Sequence, residues 1–260
     1  MPIDKVVGSF DEAVKDVFEG ALILVGGFGN PGACPSYLIR ALAKQGAKQL
    51  TIVANTTGIT SKEMMEKMVA LGVRFFPDWF VDVDILCQNR QVKKAIAAFP
   101  VPPSALLVST FERQLRAGQV EIEMVPQGTL AERIRANKAG IGGFFTPTGP
   151  GTIIEKGKEV RIIDGRPHVL EYPIKADFAF VRAYKADKLG NLIYRGTSRT
   201  FNATIAGAAK VTIAEVDEVV PVGGLDPEGI VTPALYVQRV VVRPLEGRTK
   251  IVQKIRKEEQ

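Results

Sequence analysis

The chain has 260 residues, a formal net charge of +6, and 46% hydrophobic against 24% charged residues. That is the composition of a soluble globular protein, with room for one large α/β domain or a domain with a subdomain. It excludes a disulfide scaffold, because Cys34 and Cys87 are the only cysteines, and a membrane-spanning helix, because no apolar run reaches about 18 residues.

The opening residues, MPIDKVVGSFDEAVKD, lack the basic-then-apolar form of a secretory signal. A reducing, cytoplasmic setting is expected. Basic residues are mixed with Asp and Glu except in a cluster from Arg243 to Lys257, which has no aromatic platform. Nucleic-acid binding is therefore not expected. The positive surplus suits an anionic ligand, or is simply a solvated surface.

Residues 11–19 read as a first helix. Ala21 to Val25 is an apolar run that enters the turn Gly26-Gly27-Phe28-Gly29-Asn30-Pro31-Gly32. Tyr37, Leu38, Ala41 and Leu42 then recur at helical spacing, and Gly46 stands where a C-cap glycine belongs. The unit is strand, tight loop, helix. Such loops expose backbone N–H groups and a helix N-terminus, both suited to an anion. Gly27, Gly29 and Gly32 also satisfy the dinucleotide fingerprint G-x-G-x-x-G. That fingerprint needs an acidic residue about 20 positions on, at the end of the next strand. The next strand, Leu50 to Ala54, ends in Asn55 instead, and Pro31 and Pro35 crowd the helix start. NAD is not the expected ligand, while a glycine turn kept only for packing stays open.

Thr60 and Glu63 have capping-box spacing, and Met64, Met65, Met68 and Val69 form a helical face before Gly72. These methionines are expected core fillers. Apolar runs in 73–87 and 92–99 predict buried strands, and Pro100, Pro102 and Pro103 then interrupt the chain. Ser109 and Glu112 open a short helix that stops near Gly118. Val120 to Val125 alternates with Glu121 and Glu123, which predicts a strand with one wet face. Pro126-Gln127-Gly128 leads into a helix over Leu130 to Asn137, ending near Gly140. Gln127 thus sits at the carboxyl edge of a strand, where open α/β sheets bind ligands.

Beyond residue 141 the pattern changes. Phe144 to Thr152 is a loop rich in Thr, Pro and Gly. Residues 159–163 and 168–172 flank Asp164-Gly165, a hairpin signal. Phe178 to Tyr184 and Leu192 to Tyr194 flank Leu189-Gly190-Asn191, a second hairpin. Residues 202–209 predict a short helix, and Val211 to Val216 and Leu235 to Val242 predict further strands. The fold class is therefore α/β. A mostly parallel sheet flanked by helices carries an antiparallel, hairpin-rich appendage at about 144–195. Residues 1–240 read as a single domain and 241–260 as a charged tail, frayed or disordered in its last fifteen residues.

GALILVGGFGNPG resembles the first signature of the family I coenzyme A transferases. Gly20, Ile23-Leu24-Val25, Gly26-Gly27-Phe28 and Gly32 carry the likeness. Glu19 departs from the usual Asp or Asn, and one extra residue separates Gly32 from Pro35. The likeness continues in EIEMVPQGTLAERIRA (121–136), FFTPTGPGT (144–152) and DFAFVRAYKADKLGNLIYR (177–195), which match the α half of the 3-oxoacid CoA-transferases. It spans most of residues 10–240.

The resemblance implies the NagB/RpiA/CoA-transferase-like fold. It implies coenzyme A as a substrate, no bound cofactor, and CoA transfer from a donor acyl-CoA to a (3-oxo)carboxylic acid. Gly26, Gly27, Phe28, Gly29 and Asn55 are then expected to line the substrate and CoA site, with Gln127 near the reacting carbonyl as an oxyanion donor. The family's nucleophile is a glutamate in a Ser-Glu-Asn-Gly motif, which forms an anhydride and then a glutamyl-CoA thioester. That motif does not occur here. The expected partner is a β subunit carrying the glutamate, in a hetero-oligomer.

Other chemistry is sparser. The single histidine, His168, lies in a predicted hairpin strand and reads as structural. No cluster of His, Cys, Asp and Glu has metal-ligand spacing, so no metal is expected. Cys34 lies near the glycine loop and a helix N-terminus, a setting that can lower a thiol pKa, but no histidine is close in sequence and a nucleophilic role is not expected. Cys87 reads as a core residue. Two alternatives stay open beside the transferase: a CoA-ester hydrolase on the same scaffold, and a non-catalytic small-ligand binding protein.

Overall fold

The computed structural model describes residues 3–70, 72, 76–102 and 107–245. In chain order the first half contains α1 (Phe10–Val14), β1 (Leu22–Val25), α2 (Ser36–Gln45), β2 (Leu50–Thr56), α3 (Lys62–Ala70), α4 (Asp84–Gln88), β3 (Val92–Phe99), α5 (Thr110–Arg116), β4 (Glu121–Met124) and α6 (Gln127–Ala139). The second half contains β5 (Phe144–Thr146), β6 (Val160–Ile163), β7 (Arg166–Glu171), β8 (Ala176–Arg182), β9 (Lys185–Asp187), β10 (Leu192–Ile193), α7 (Asn202–Ile205), β11 (Ala209–Val216), β12 (Glu218–Val220) and β13 (Arg239–Val242).

Seven strands form one sheet in the order β13-β11-β8-β1-β2-β3-β4. Every neighbouring pair is parallel. Parallel strands covered on both faces need apolar residues at successive positions, and the run Ile23-Leu24-Val25 supplies them. Ile23, Ile52, Ala95, Phe178 and Ile213 point to one core, against Val14, Leu38, Leu42, Leu86 and Phe111 of α1, α2, α4 and α5. Leu24, Val53, Ile96, Ala179 and Ala214 point to the other, against Leu130 and Ile134 of α6 and Ile205 of α7. Among the described residues no helix is long and apolar enough to cross a membrane.

Several expectations change. The first helix stops at Val14, where Arg239 takes the Ala13 carbonyl at 2.8 Å. Thr60 does not cap α3, because its hydroxyl donates to Asp82 at 2.7 Å. Ser61 caps instead, accepting from the Met64 N–H at 3.3 Å. Residues 73–75 lie outside the described residues. The rest of the expected strand over 73–87 is turn and helix, ending in α4. The 92–99 strand, the Ser109 cap and the left-handed Gly46 and Gly140 caps appear as predicted.

The first hairpin forms as predicted between β6 and β7, with Asp164 and Gly165 at φ 50° and 75°. The second does not form as predicted. Phe178 to Arg182 belongs to β8, a central strand between β1 and β11, and the hairpin is β9 with β10. Residues 144–195 thus supply strands to all three sheets. β13 crosses residue 240, and Arg243 is buried, so a solvated tail cannot begin at 241. Residues 246–260 lie outside the described residues.

Candidate active site

β1 to β4 build outward on one side, and β8, β11 and β13 on the other. The order therefore reverses between β1 and β8. Ligands of open α/β sheets bind at the carboxyl ends of the strands flanking such a point. The glycine loop starts there, and the Gly26 N–H donates to Phe180 O at 2.9 Å. Gly27 and Gly29 adopt φ of 84° and 73°, a region that disfavours a Cβ. A Cβ on Gly27 would also lie 2.7 Å from Ala33 O, and one on Gly29 2.9 Å from Thr56 Oγ1. The loop's own folding therefore requires both glycines, before any ligand is considered. Gly26, Gly27, Gly29 and Asn55 line one small cleft with Thr56, Asp82 and Cys34. Phe28 is partly exposed beside it, its ring packed edge-on against Phe201 at 5.1 Å.

Asn55 is buried at the carboxyl end of β2. Gln127, the first residue of α6, is exposed at the end of β4. The two lie 72 residues apart in sequence, yet the Gln127 amide donates to Asn55 Oδ1 at 2.8 Å. The bond leaves one Gln127 N–H free. Asn55 Nδ2 donates no hydrogen bond among the described residues. Accepting a bond at Oδ1 also polarises the Asn55 amide and strengthens its donors.

The α2 N-terminus is not the open anion site its sequence suggests. Glu215, fully buried on β11, already occupies it. Its Oε2 accepts from the Tyr37 and Leu38 N–H groups at 2.9 and 3.1 Å. Oε1 lies 3.0 Å from Nε of Arg243, whose guanidinium also covers the Trp79 ring at 4.3 Å. Burial pushes the Glu215 carboxyl up, and Arg243 and Arg182 oppose that shift. Cys34 is no nucleophile, as expected, and the helix terminus does not lower its pKa. Its thiol is buried and faces Val81 O at 3.7 Å. Burial and then the charges of Asp82 and Glu215 push it well above the usual thiol range, so it carries no reactive thiolate. Cys87 is buried in the core. His168 is half-buried on β7, and its Nδ1 meets Arg166 O at 2.9 Å.

Asp82 carries no motif that marks it in the sequence. Its carboxylate accepts from the Ile59 N–H at 2.8 Å, the Thr60 hydroxyl at 2.7 Å and the Asp84 N–H at 3.0 Å. It thereby ties the loop after β2 to α4. Burial, then the Asp84 charge, raise its pKa from 3.8 to about 6. The folded state therefore binds this proton more tightly than the unfolded chain, and stability from this group falls as pH rises through that window. Two units correspond to about 3 kcal/mol. From pH 4 to pH 7, wild type should lose roughly 3 kcal/mol more unfolding free energy, measured in urea, than Asp82→Asn does over the same change. Equal slopes would remove Asp82 as the source.

The residues that sequence reasoning misses are Glu215, Arg243, Asp82 and Asn202. All are buried polar groups whose partners are distant in sequence. Their only sequence signal is a polar residue inside an apolar run, as for Glu215 in Ile213-Ala214-Glu215-Val216.

A family model described as Coenzyme A transferase matches residues 7–243. The chain is 46% identical over 238 residues to the A subunit of a probable succinyl-CoA:3-ketoacid coenzyme A transferase of Bacillus subtilis (strain 168), covering 92% of this chain and 90% of that one. It is 44% identical over 239 residues to the A subunit of the 3-oxoadipate CoA-transferase of Pseudomonas putida, covering 92% and 94%. In fold it resembles an acyl-CoA transferase of E. coli O157:H7, solved as a thioester complex with CoA. The TM-score is 0.76 at 21% identity, covering 93% of this chain and 50% of that one. From the sheet reversal at the glycine loop to the match over nearly its whole length, this chain belongs to the coenzyme A transferase family.

Proposed function

We propose that this chain is the α subunit of a two-subunit enzyme that moves CoA from a donor acyl-CoA to a 3-oxo acid, and that it supplies the oxyanion donors while a β subunit supplies the nucleophile. The carrying observation is the Gln127–Asn55 amide pair beside the glycine loop. Its spare N–H groups suit a developing negative oxygen. Among the described residues of the cleft no candidate nucleophile stands with it: Cys34 is a buried thiol, and the Asp82 oxygens are taken by three donors. The Bacillus subtilis and Pseudomonas putida relatives are each named as the A subunit of their enzyme.

The chemistry follows from that division. The partner's glutamate attacks the acyl-CoA carbonyl, and the oxygen gains negative charge as the tetrahedral intermediate forms. Gln127 and Asn55 donate to that oxygen. Breaking the C–S bond gives a mixed anhydride and CoA thiolate. The thiolate then attacks the glutamyl carbonyl, releasing the first acid and leaving glutamyl-CoA. The second acid reverses these steps. Gly26, Gly27, Phe28 and Gly29 form the wall against which the acyl group and thioester lie. Coenzyme A is a substrate, and no resident cofactor takes part. The two free buried cysteines suit a reducing cytoplasm. Phe99, Val101 and Met124, at the carboxyl ends of β3 and β4, are about half exposed, and the β subunit is the surface that covers them.

Gln127→Ala in the complex should lower kcat about 100-fold, the scale seen when one oxyanion donor is removed. The exposed Gln127 side chain buries little, so the stability change should stay within the roughly 1–3 kcal/mol of one lost hydrogen bond to Asn55. An unchanged kcat/KM would refute the role. Release of free CoA without an acceptor acid would indicate a hydrolase.

A further inference from the structure

One side chain holds both ends of the glycine loop. Asn202, the first residue of α7, is fully buried. Its Nδ2 donates to Ala33 O and to Ser198 O, each at 2.9 Å. Its Oδ1 accepts from the Arg182 N–H at 2.8 Å, at the end of β8. Both amide donors are thus committed, one of them to the far end of the loop. At the near end, a Cβ on Gly26 would overlap Asn202 Oδ1. Gly26 lacks a side chain because Asn202 fills that space.

The neighbours of Asn202 grip the middle of the loop. Thr197 Oγ1 donates to Asn30 Oδ1 at 3.2 Å, and occupies the space a Cβ on Gly32 would need. The Phe201 ring meets Phe28, and its backbone sits at φ 46°, ψ −33°, a conformation that L residues rarely adopt. Such strain persists only where the surroundings enforce it, and it clusters at functional sites. A turn of the second half of the chain therefore touches the loop at its start, middle and end.

Resting on the transferase reading above, we propose that Asn202 is a positioning residue: its carboxamide fixes the glycine loop at the junction of β1 and β8, and so sets the distance from that wall to the Asn55–Gln127 donors. It touches no reacting atom. Its effect is on alignment, where an error of about 1 Å can lower the rate by about 100-fold.

The test separates positioning from packing. Asn202→Ala removes the tethers and leaves a space. Gly26→Ala with Asn202→Ala returns a Cβ to that space without the tethers. Asn202→Asp keeps Oδ1 and the shape, but faces Ala33 O with an acceptor. All three are made in the two-subunit complex. The double variant should melt closer to wild type than Asn202→Ala does, while its kcat stays at least about 10-fold low with KM changed less than about 3-fold. Asn202→Asp should show the same split. Amide hydrogen exchange supplies a readout that needs no activity. Residues 27–33 should exchange at least about 10-fold faster in all three variants, with residues 176–181 of β8 unchanged. Wild-type exchange in the loop, or a kcat that recovers in step with the melting temperature, would overturn the assignment. A wild-type complex that transfers no CoA would sink the transferase reading instead, and loop exchange would still decide the role of Asn202.

Discussion

Glu215→Ala should destabilise the chain by about 3–5 kcal/mol, the scale for removing one partner of a buried ion pair. Glu215 and Arg243 are both at or below 2% exposure. Asp217, which pairs with Arg182 at 3.0 Å and with Arg243 at 3.4 Å, does not reach the Tyr37 and Leu38 N–H groups at the α2 N-terminus. The substitution removes the carboxylate that lies 3.0 Å from the buried Arg243 guanidinium, whose contact with Asp217 is longer, at 3.4 Å. It also strips the Tyr37 and Leu38 N–H groups of their acceptor, and unpaired buried donors carry a desolvation penalty of about 1–3 kcal/mol. Replacing both charges together, as Glu215→Gln with Arg243→Met, should recover most of the loss, because the desolvation of both ions disappears as well. Urea unfolding of the three proteins reads this directly. A Glu215→Ala loss below about 1 kcal/mol, or a double variant no more stable than the single, would contradict it.

That dependence explains what the sequence can and cannot reveal. The strand, loop and helix around Gly26 are legible because local patterns dictate them: three consecutive aliphatics, glycines at positive φ, and a left-handed cap at Gly46. Gln127 is legible because Pro126 ends a strand and α6 begins at once. β8 is not, because Phe178 to Tyr184 has the same apolar run as a hairpin strand, and only the sheet order places it beside β1. Cys34 is legible as a non-nucleophile, but the direction of its pKa is not, because burial and two carboxylates outweigh the nearby helix N-terminus. The α2 N-terminus misleads for a related reason. Its anion comes from a residue 177 positions away from Leu38, and no local pattern marks such a contact. The Gln127–Asn55 bond is likewise a product of topology, since parallel strands β2, β3 and β4 bring both carboxyl ends to one edge.

The second large effect concerns the partner. The chain holds the glycine loop and the amide pair, but among its described cleft residues no nucleophile is free to attack a thioester. Purified alone, it should show no CoA transfer. Combined with its β subunit, it should exchange CoA between two acids with ping-pong kinetics, a change from no turnover to full turnover. The most direct measurement is to incubate the complex with acyl-CoA but no acceptor acid, reduce with borohydride, and locate the modified residue by mass spectrometry. The modification should fall on a glutamate of the β subunit, with this chain unmodified. A modified side chain on this chain, or full transfer by this chain purified alone, would contradict the assignment.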